Sequence, residues 1–157
     1  MAFKQFCFFI YLSLIACEQP EMDSENDIKK EIQEMYLHHV SDLKNLDHEN
    51  LMRHYADIND HILFGDGEYW GDYKTVNNIW KSFIDNTQQI LKWELSNEKI
   101  HILSNESASY LMEYYNERIN SKGDTSKVKG SAVYALKKIN NDWKIVTTNV
   151  THQILED

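Results

Sequence analysis

Residues 64–74 have the sequence FGDGEYWGDYK and hold three of the five glycines in this 157-residue chain. Gly65 and Gly67 begin the G-x-G-x-x-G pattern of a dinucleotide-binding loop, but Trp70 stands where the third glycine belongs. No Walker lysine follows, and the acidic residues lack the spacing of a calcium-binding EF-hand loop. The glycines therefore predict a tight reversal with positive φ between a strand and a helix.

On both sides of this reversal, the apolar residues predict helices. Before it, they recur at three- and four-residue steps, which indicates a long amphipathic helix with the apolar face Ile28, Ile32, Met35, Tyr36, His39, Leu43 and Leu46. Asp47 is expected to cap a short second helix, and Asp72 is expected to cap a third. The third helix carries the stripe Val76, Ile79, Trp80, Phe83 and Ile84.

Beyond Asn86 the apolar pattern changes to alternation, which is typical of strands. A long strand with a bulge near Ser96 to Glu98 is expected first, and turn residues then divide the remainder into strands at 107–120, 127–139 and 143–153. Helices followed by an antiparallel meander predict an α+β fold in which the helices lie on one face of a curved sheet.

Both faces of the predicted strands are apolar. In the strand at 107–120, Tyr110 and Met112 alternate with Leu111, and the next strand shows the same mixture. The helices cover one face only, and an exposed apolar sheet face is unusual in a monomer. We therefore expect a homodimer formed through the second face.

The N-terminus has the layout of a secretory signal. Residues 1–16 combine Lys4 with an apolar stretch too short to span a membrane, and Leu14-Ile15-Ala16-Cys17 resembles a bacterial lipobox. We expect cleavage before Cys17, lipidation of that residue, an acidic tether at 17–27 and a domain at 28–157. This predicts a lipoprotein anchored to a membrane of the bacterial cell envelope, facing the periplasm or the surface. An ordinary signal peptide cleaved elsewhere is the alternative.

The charge and the motifs of the sequence argue against nucleic-acid binding, a metal site and a serine nucleophile. The formal net charge is −9, and no basic stripe is present, so we expect no nucleic-acid partner. His38 and His39 are adjacent and diverge on a helix, and no H-E-x-x-H motif occurs, so we expect no metal. We also expect no cofactor, and the G-x-S-x-G motif of a serine nucleophile is absent.

The order of elements and several short motifs resemble the nuclear transport factor 2-like superfamily, in its SnoaL-like and kinase-association-domain members. The resemblance covers about residues 27–153 and rests on NLDHENL, GDGEYWG and the final NNDWKIVTTNVTH. It implies a cone-shaped curved antiparallel sheet, about four strands plus a short one, closed by three N-terminal helices around a cavity. Related domains often carry a histidine and a serine where this chain has Asn149 and Thr151, which weakens an acid-base role there.

The resemblance and the apolar patterns together predict a pocket between the first helix, the third helix and the last two strands. Asn149 and Thr151 share strand parity with Trp143 and Ile145, so we expect them to face the cavity. The predicted lining is Tyr36, His39, Trp70, Trp80, Tyr134, Asn149 and Thr151. We expect this pocket to bind a small, mostly apolar ligand.

Two other functions remain open at this point, because a fold does not choose a function. One is an acid-base enzyme of the isomerase, cyclase or hydrolase type. Its candidate catalytic groups are His39 with Tyr36, or Glu113 if its strand parity points inward, although the favoured interpretation of His39 is a hydrogen-bonded core histidine. The other is a purely structural dimerisation module.

Overall fold

The computed structural model describes residues 24–155. The predicted signal peptide, the lipidation site Cys17 and most of the acidic tether lie outside these residues. Within residues 24–155, no helix combines the length and the apolar character needed to cross a membrane.

The described chain has three helices and six strands. The helices are α1 (Glu25–Lys44), α2 (His48–Met52) and α3 (Tyr73–Asp85). Two short strands, β1 (Ile62–Gly65) and β2 (Glu68–Gly71), lie between α2 and α3. Four long strands follow: β3 (Thr87–Ser104), β4 (Ser107–Asn120), β5 (Thr125–Ile139) and β6 (Asp142–Leu155). The α+β fold predicted from the sequence is confirmed, with one more short strand than expected.

Side-chain caps set the starts of all three helices. The Asp47 carboxylate accepts a hydrogen bond from the Asn50 backbone N–H at 3.1 Å, and Asp72 accepts one from Thr75 at the same distance. These bonds hold the pKa of both carboxyl groups below the usual range. Ser24 caps α1 in the same way, so α1 begins three residues before the predicted domain boundary.

The glycine-rich stretch forms a β-hairpin. Asp66 and Gly67 have φ values of 52° and 89°, so the reversal with positive φ is confirmed. It connects β1 to β2, however, instead of leading directly into α3. The sequence missed β2 because Glu68, Tyr69 and Trp70 show no alternation of polar and apolar residues.

The strands form one sheet in the order β2-β1-β6-β5-β4-β3. β3 to β6 are the predicted antiparallel meander, and β1 adds to the edge of β6 in the parallel direction. α1 and α3 pack on one face of this curved sheet. The core between them includes Ile32, Tyr36, Tyr110, Tyr134 and Ile145, all at most 5% exposed.

Several bulges interrupt the long strands, and two of them bear on the expectations from sequence. The first lies between Ser96 and Lys99, as predicted. The second was not predicted: Leu136 pairs with Ile145 and Ala135 pairs with Thr147, so Val146 is an extra residue in β6. Because an extra residue shifts side-chain alternation by one, the side chains beyond it change face.

The bulge at Val146 corrects the expected orientation of the end of β6. Ile145 is fully buried on the helix-covered face. After the bulge it is Thr148 that is buried, at 5% exposure, whereas Asn149 and Thr151 are exposed. The expectation that Asn149 and Thr151 share a face with Trp143 and Ile145 is therefore wrong.

Candidate ligand-binding cavity

A cavity of about 340 Å³ lies between α3, α1 and the helix-covered face of the sheet. This volume is within the range of about 300–1,000 Å³ that is usual for small-molecule sites. Most of its wall is aromatic or aliphatic. The lining residues are Tyr36, Tyr55, Leu63, Trp70, Val76, Ile79, Trp80, Phe83, Trp93, Tyr114, Asn116, Arg118, Val128, Tyr134, Thr148, Val150, His152 and Ile154.

The structure brings four of the seven predicted pocket residues into this wall: Tyr36, Trp70, Trp80 and Tyr134. His39 lies one layer behind it, fully buried, with its ring stacked on Tyr36 at a centroid distance of 5.0 Å. Asn149 and Thr151 lie on the other face of the sheet, because of the bulge in β6. Their assignment to the cavity is corrected.

A chain of hydrogen bonds crosses the closed end of the cavity. Trp80 Nε1 donates to the Tyr55 hydroxyl at 2.8 Å, and His39 Nε2 lies 3.0 Å from the same oxygen. Tyr55 follows α2, belongs to no sequence motif and was not among the predicted lining residues. Burial raises the pKa of Tyr55 and of Tyr36 well above the usual range, so both hydroxyls are neutral.

His39 is held in its neutral form. Burial, and then the nearby charge of His54, lower the pKa of His39 to about 3. Its Nδ1 atom has no hydrogen-bond partner among residues 24–155. The His39 ring does not line the cavity, and its Nε2 contacts Tyr55. The geometry therefore favours a structural role for His39 in the core over a role as a base in the pocket.

Glu113 points away from the cavity. Its neighbours Met112 and Tyr110 are buried on the helix-covered face at alternate positions, whereas Glu113 is exposed and accepts a hydrogen bond from Asn97 at 2.8 Å. The conditional assignment of Glu113 as a pocket acid is therefore wrong. Among the described residues, no aspartate or glutamate lines the cavity, and no group of three His, Cys, Asp or Glu is arranged to hold a metal ion.

An aspartate–histidine pair lies beside the cavity. Asp66 Oδ1 accepts a hydrogen bond from the His152 backbone N–H at 2.7 Å, and His152 Nδ1 lies 3.2 Å from Asp66 Oδ2. The His152 ring stacks on Trp70, with the planes 8° apart and the centroids at 5.8 Å. No local signal could have revealed this pair, because 86 residues separate its members.

Arg118 lies where the cavity meets the C-terminus of α3. Its Nη1 donates to Thr87 Oγ1 at 2.6 Å and to the backbone carbonyls of Phe83 and Asn86 at 3.4 and 3.3 Å. The guanidinium also lies over the Phe83 ring, 4.4 Å from its centroid. A cation near the last carbonyls of a helix is favourable, and partial burial lowers the pKa of Arg118.

Two buried polar atoms in the cavity wall have no hydrogen-bond partner within the described chain. They are Trp93 Nε1 and Thr148 Oγ1. Most buried polar side-chain atoms in proteins are hydrogen-bonded, to protein groups or to water. Both atoms belong to side chains that line the cavity.

Solved structures share this fold. A nuclear transport factor 2-like superfamily protein from Salmonella enterica superposes with a TM-score of 0.69, at 14% identity, over 84% of this chain and 94% of that protein. A nuclear transport factor 2-like protein of unknown function from Shewanella oneidensis superposes with a TM-score of 0.64, at 17% identity, over 78% of this chain and 98% of that protein. A ketosteroid isomerase-like protein from Erwinia carotovora superposes with a TM-score of 0.65, at 14% identity, over 81% of this chain and 97% of that protein. At these identities the likeness shows the fold alone.

Sequence comparison identifies the family. No curated protein is similar enough in sequence to count as a match. The family model of the SnoaL-like domain, however, matches residues 32–150, from the second turn of α1 to the last part of β6. Since this match covers most of the chain, the protein belongs to the SnoaL-like domain family, and its fold is the one seen in nuclear transport factor 2-like proteins.

Proposed function

We propose that the protein binds a small, mostly apolar molecule in the cavity. The observation that carries this proposal is an aromatic-walled cavity that holds two buried polar atoms without a partner in the described chain, Trp93 Nε1 and Thr148 Oγ1. Burying an unpaired polar group costs about 1–3 kcal/mol, and a ligand with one or two polar atoms would remove that cost. The apolar wall supplies the remaining affinity.

A probe-binding experiment tests this proposal. N-phenyl-1-naphthylamine is neutral and fluoresces strongly in apolar sites, and the nearby Trp70, Trp80 and Trp93 provide a second, intrinsic signal. We expect saturable binding with one site per chain. Val150→Phe, which fills the cavity, should weaken binding at least tenfold, whereas Val133→Phe, on the opposite face, should not. Equal binding by both variants, or no saturable binding, would contradict the proposal.

The second candidate is an acid-base enzyme, and the Asp66–His152 pair favours it. A carboxylate that holds Nδ1 of a histidine leaves Nε2 to take or give a proton. One of the structural neighbours is named a ketosteroid isomerase-like protein. This candidate predicts that turnover of a carbonyl substrate is lost in His152→Gln. The binding proposal predicts that His152→Gln changes affinity only.

We further propose that the domain is tethered to a membrane of the cell envelope through a lipid on Cys17. The support is the tetrad Leu14-Ile15-Ala16-Cys17 after a short apolar stretch. Metabolic labelling with a fatty acid should mark the wild-type protein and leave Cys17→Ala unlabelled and out of the membrane fraction. Retention of both the label and the membrane association by Cys17→Ala would contradict this proposal.

We also propose that the exposed sheet face forms a homodimer. Leu111 and Val133 lie opposite each other on β4 and β5, each 39% exposed. Light scattering on residues 24–157 should give the mass of a dimer at tens of micromolar, a concentration typical of such tests. Leu111→Lys should give a monomer, whereas Leu37→Lys, at an exposed position on α1, should remain dimeric. A monomeric wild-type protein would contradict the proposal.

A further inference from the structure

We infer that the molecule bound in the cavity carries a carboxylate, and that Arg118 binds this group. The inference rests on the proposed ligand-binding function and adds the chemical class of the ligand. It is argued from the unused donors of Arg118, from the charges around the cavity and from a neighbouring indole N–H.

The two arginines of the chain have contrasting surroundings. Arg53 lies on the surface and pairs with Glu49, with Nη2 2.9 Å from Oε1. Arg118 lines the cavity and has no ion pair with any carboxylate in residues 24–155. All three of its hydrogen-bond acceptors are neutral oxygens. Partial burial of a guanidinium costs free energy, and an anionic partner would offset that cost.

The hydrogen bonds of Arg118 leave one edge of the guanidinium unused. All three bonds involve Nη1, whereas Nε and Nη2 donate to nothing in the described chain. These two atoms carry parallel N–H groups at the spacing of the two oxygens of a carboxylate, which arginine binds in bidentate fashion. The unused edge therefore matches a planar oxyanion better than a hydroxyl or an amine.

The charges around the cavity favour an anion with a single charge. The whole chain has 25 acidic and 16 basic residues, yet the described lining contains no aspartate, glutamate or lysine. His152 is the other titratable base there, and Asp66 already pairs with it. Arg118 is thus a cation of the described lining without a carboxylate partner, and its single charge matches one carboxylate better than a doubly charged phosphate.

A second donor lies close to Arg118 in the sheet. Trp93 on β3 pairs directly with Asn116 on β4, and Asn116 is two residues from Arg118 on the same face of the strand. Diagonal neighbours of this kind are within reach of long side chains. Since Trp93 Nε1 has no partner in the described residues, an unpaired neutral donor lies in the cavity wall near the cation.

The contacts of Arg118 with α3 have a structural role as well. Its Nη1 bonds to the carbonyls of Phe83 and Asn86 stabilise the C-terminus of that helix, but they do not use Nε or Nη2. A test must therefore separate loss of fold from loss of anion binding. Comparing two ligands that differ only in charge makes this separation, because a damaged fold weakens both.

Displacement of N-phenyl-1-naphthylamine from the purified protein by decanoate and by decanol tests the inference. A charge-assisted bidentate bond predicts that decanoate displaces the probe at about tenfold lower concentration than decanol. Arg118→Gln should abolish this preference with little change for decanol. The matched control Arg53→Gln should keep it, because Arg53 does not line the cavity and already pairs with Glu49. Equal displacement of wild type by both ligands would overturn the inference.

A second variant covers the case in which Arg118→Gln does not fold. Arg118→Lys retains the positive charge near the α3 C-terminus but lacks the two parallel N–H donors of a guanidinium. The preference for decanoate over decanol should therefore fall several-fold. An unchanged preference in Arg118→Lys would overturn the inference. If the probe itself fails to bind wild type, the proposed ligand-binding function fails. If the probe binds but decanoate is not preferred, only the carboxylate assignment fails.

Discussion

The two faces of the central sheet are built from alternate residues of the same strands, yet they differ in environment. On one face Tyr110, Tyr134 and Ile145 are buried beneath the helices, and Tyr134 lines the cavity. On the other face Leu111 and Val133 are 39% exposed. Both sets are apolar, so residue type alone does not determine burial. The faces differ because the helices cover only one of them.

The bulge in β6 shows how sharply the two faces are separated. Thr148 and Asn149 are neighbours in sequence, but Thr148 lines the cavity and Asn149 lies on the exposed face. One extra residue at Val146 reverses their orientation. The position of a single bulge therefore decides which polar groups a ligand can meet.

The largest expected difference between the faces concerns stability. Ile145→Ala removes a fully buried side chain and should lower the free energy of unfolding by about 3 kcal/mol. Val133→Ala, on the exposed face, should cost less than about 1 kcal/mol if the protein is studied as a monomer. Urea unfolding of both variants measures this. Equal losses would show that the exposed face is buried in solution, which would support the dimer.

A smaller effect is expected at Gly130, where the strands leave no room for a side chain. An added Cβ would overlap the Thr151 carbonyl oxygen and lie 2.7 Å from the Tyr114 hydroxyl, which donates to that carbonyl at 3.0 Å. Gly130→Ala should therefore cost about 2 kcal/mol. The adjacent Ser131→Ala should cost about 1 kcal/mol or less, since its hydroxyl bond is exposed. Thermal unfolding of the pair compares them.

The pH dependence of stability should distinguish the interior from the surface. The pKa of His39 is about 3 in the folded protein and about 6.5 in an unfolded chain, so the unfolded state binds the proton more readily. The free energy of unfolding should therefore fall as the pH drops below about 6.5, by about 1 kcal/mol from His39 between pH 7 and pH 5.5. Burial lowers the pKa of His54 and His61 as well, so these residues also reduce the free energy of unfolding as the pH falls.

Urea unfolding at the two pH values measures this dependence. His39→Gln should reduce the loss between pH 7 and pH 5.5, although it lowers stability at pH 7 by disturbing the contact with Tyr55. His101→Gln, at an exposed position on β3, is the matched control and should leave the pH dependence unchanged. An unaltered loss in His39→Gln would refute the assignment of His39 as a neutral buried histidine.

The smallest stability effects are expected at Thr148 and Asn149, where the comparison concerns binding. Thr148→Val replaces a buried hydroxyl that lacks a partner in the described chain, so stability should stay within about 1 kcal/mol of wild type. Binding of N-phenyl-1-naphthylamine should strengthen, because the wall becomes more apolar. Asn149→Leu should leave probe binding unchanged, since Asn149 is outside the cavity. Weaker probe binding by Asn149→Leu, with no change in Thr148→Val, would indicate that Asn149 faces the cavity as expected from the sequence.

Much of the architecture was predictable because it depends on local chemistry. Asp47 and Asp72 mark helix starts through bonds to backbone groups three residues away, and the Gly67 reversal needs only a positive φ. Four of the seven predicted pocket residues line the cavity, because bulky residues on helix stripes and strand faces point into the space between the layers. Of the other three, His39 lies one layer behind the wall, whereas Asn149 and Thr151 follow a bulge that no turn residue marks.

The sequence by itself determined the helices, the long strands, the first bulge and the aromatic character of the cavity, since each depends on residues within a few positions of one another. Only the tertiary structure decided which polar groups meet the cavity. Asp66 reaches His152 across 86 residues, and Arg118 reaches Phe83 in the last turn of α3 across 35. Strand register and one unmarked bulge set these contacts, and both are settled by packing across the whole sheet and not by any local pattern.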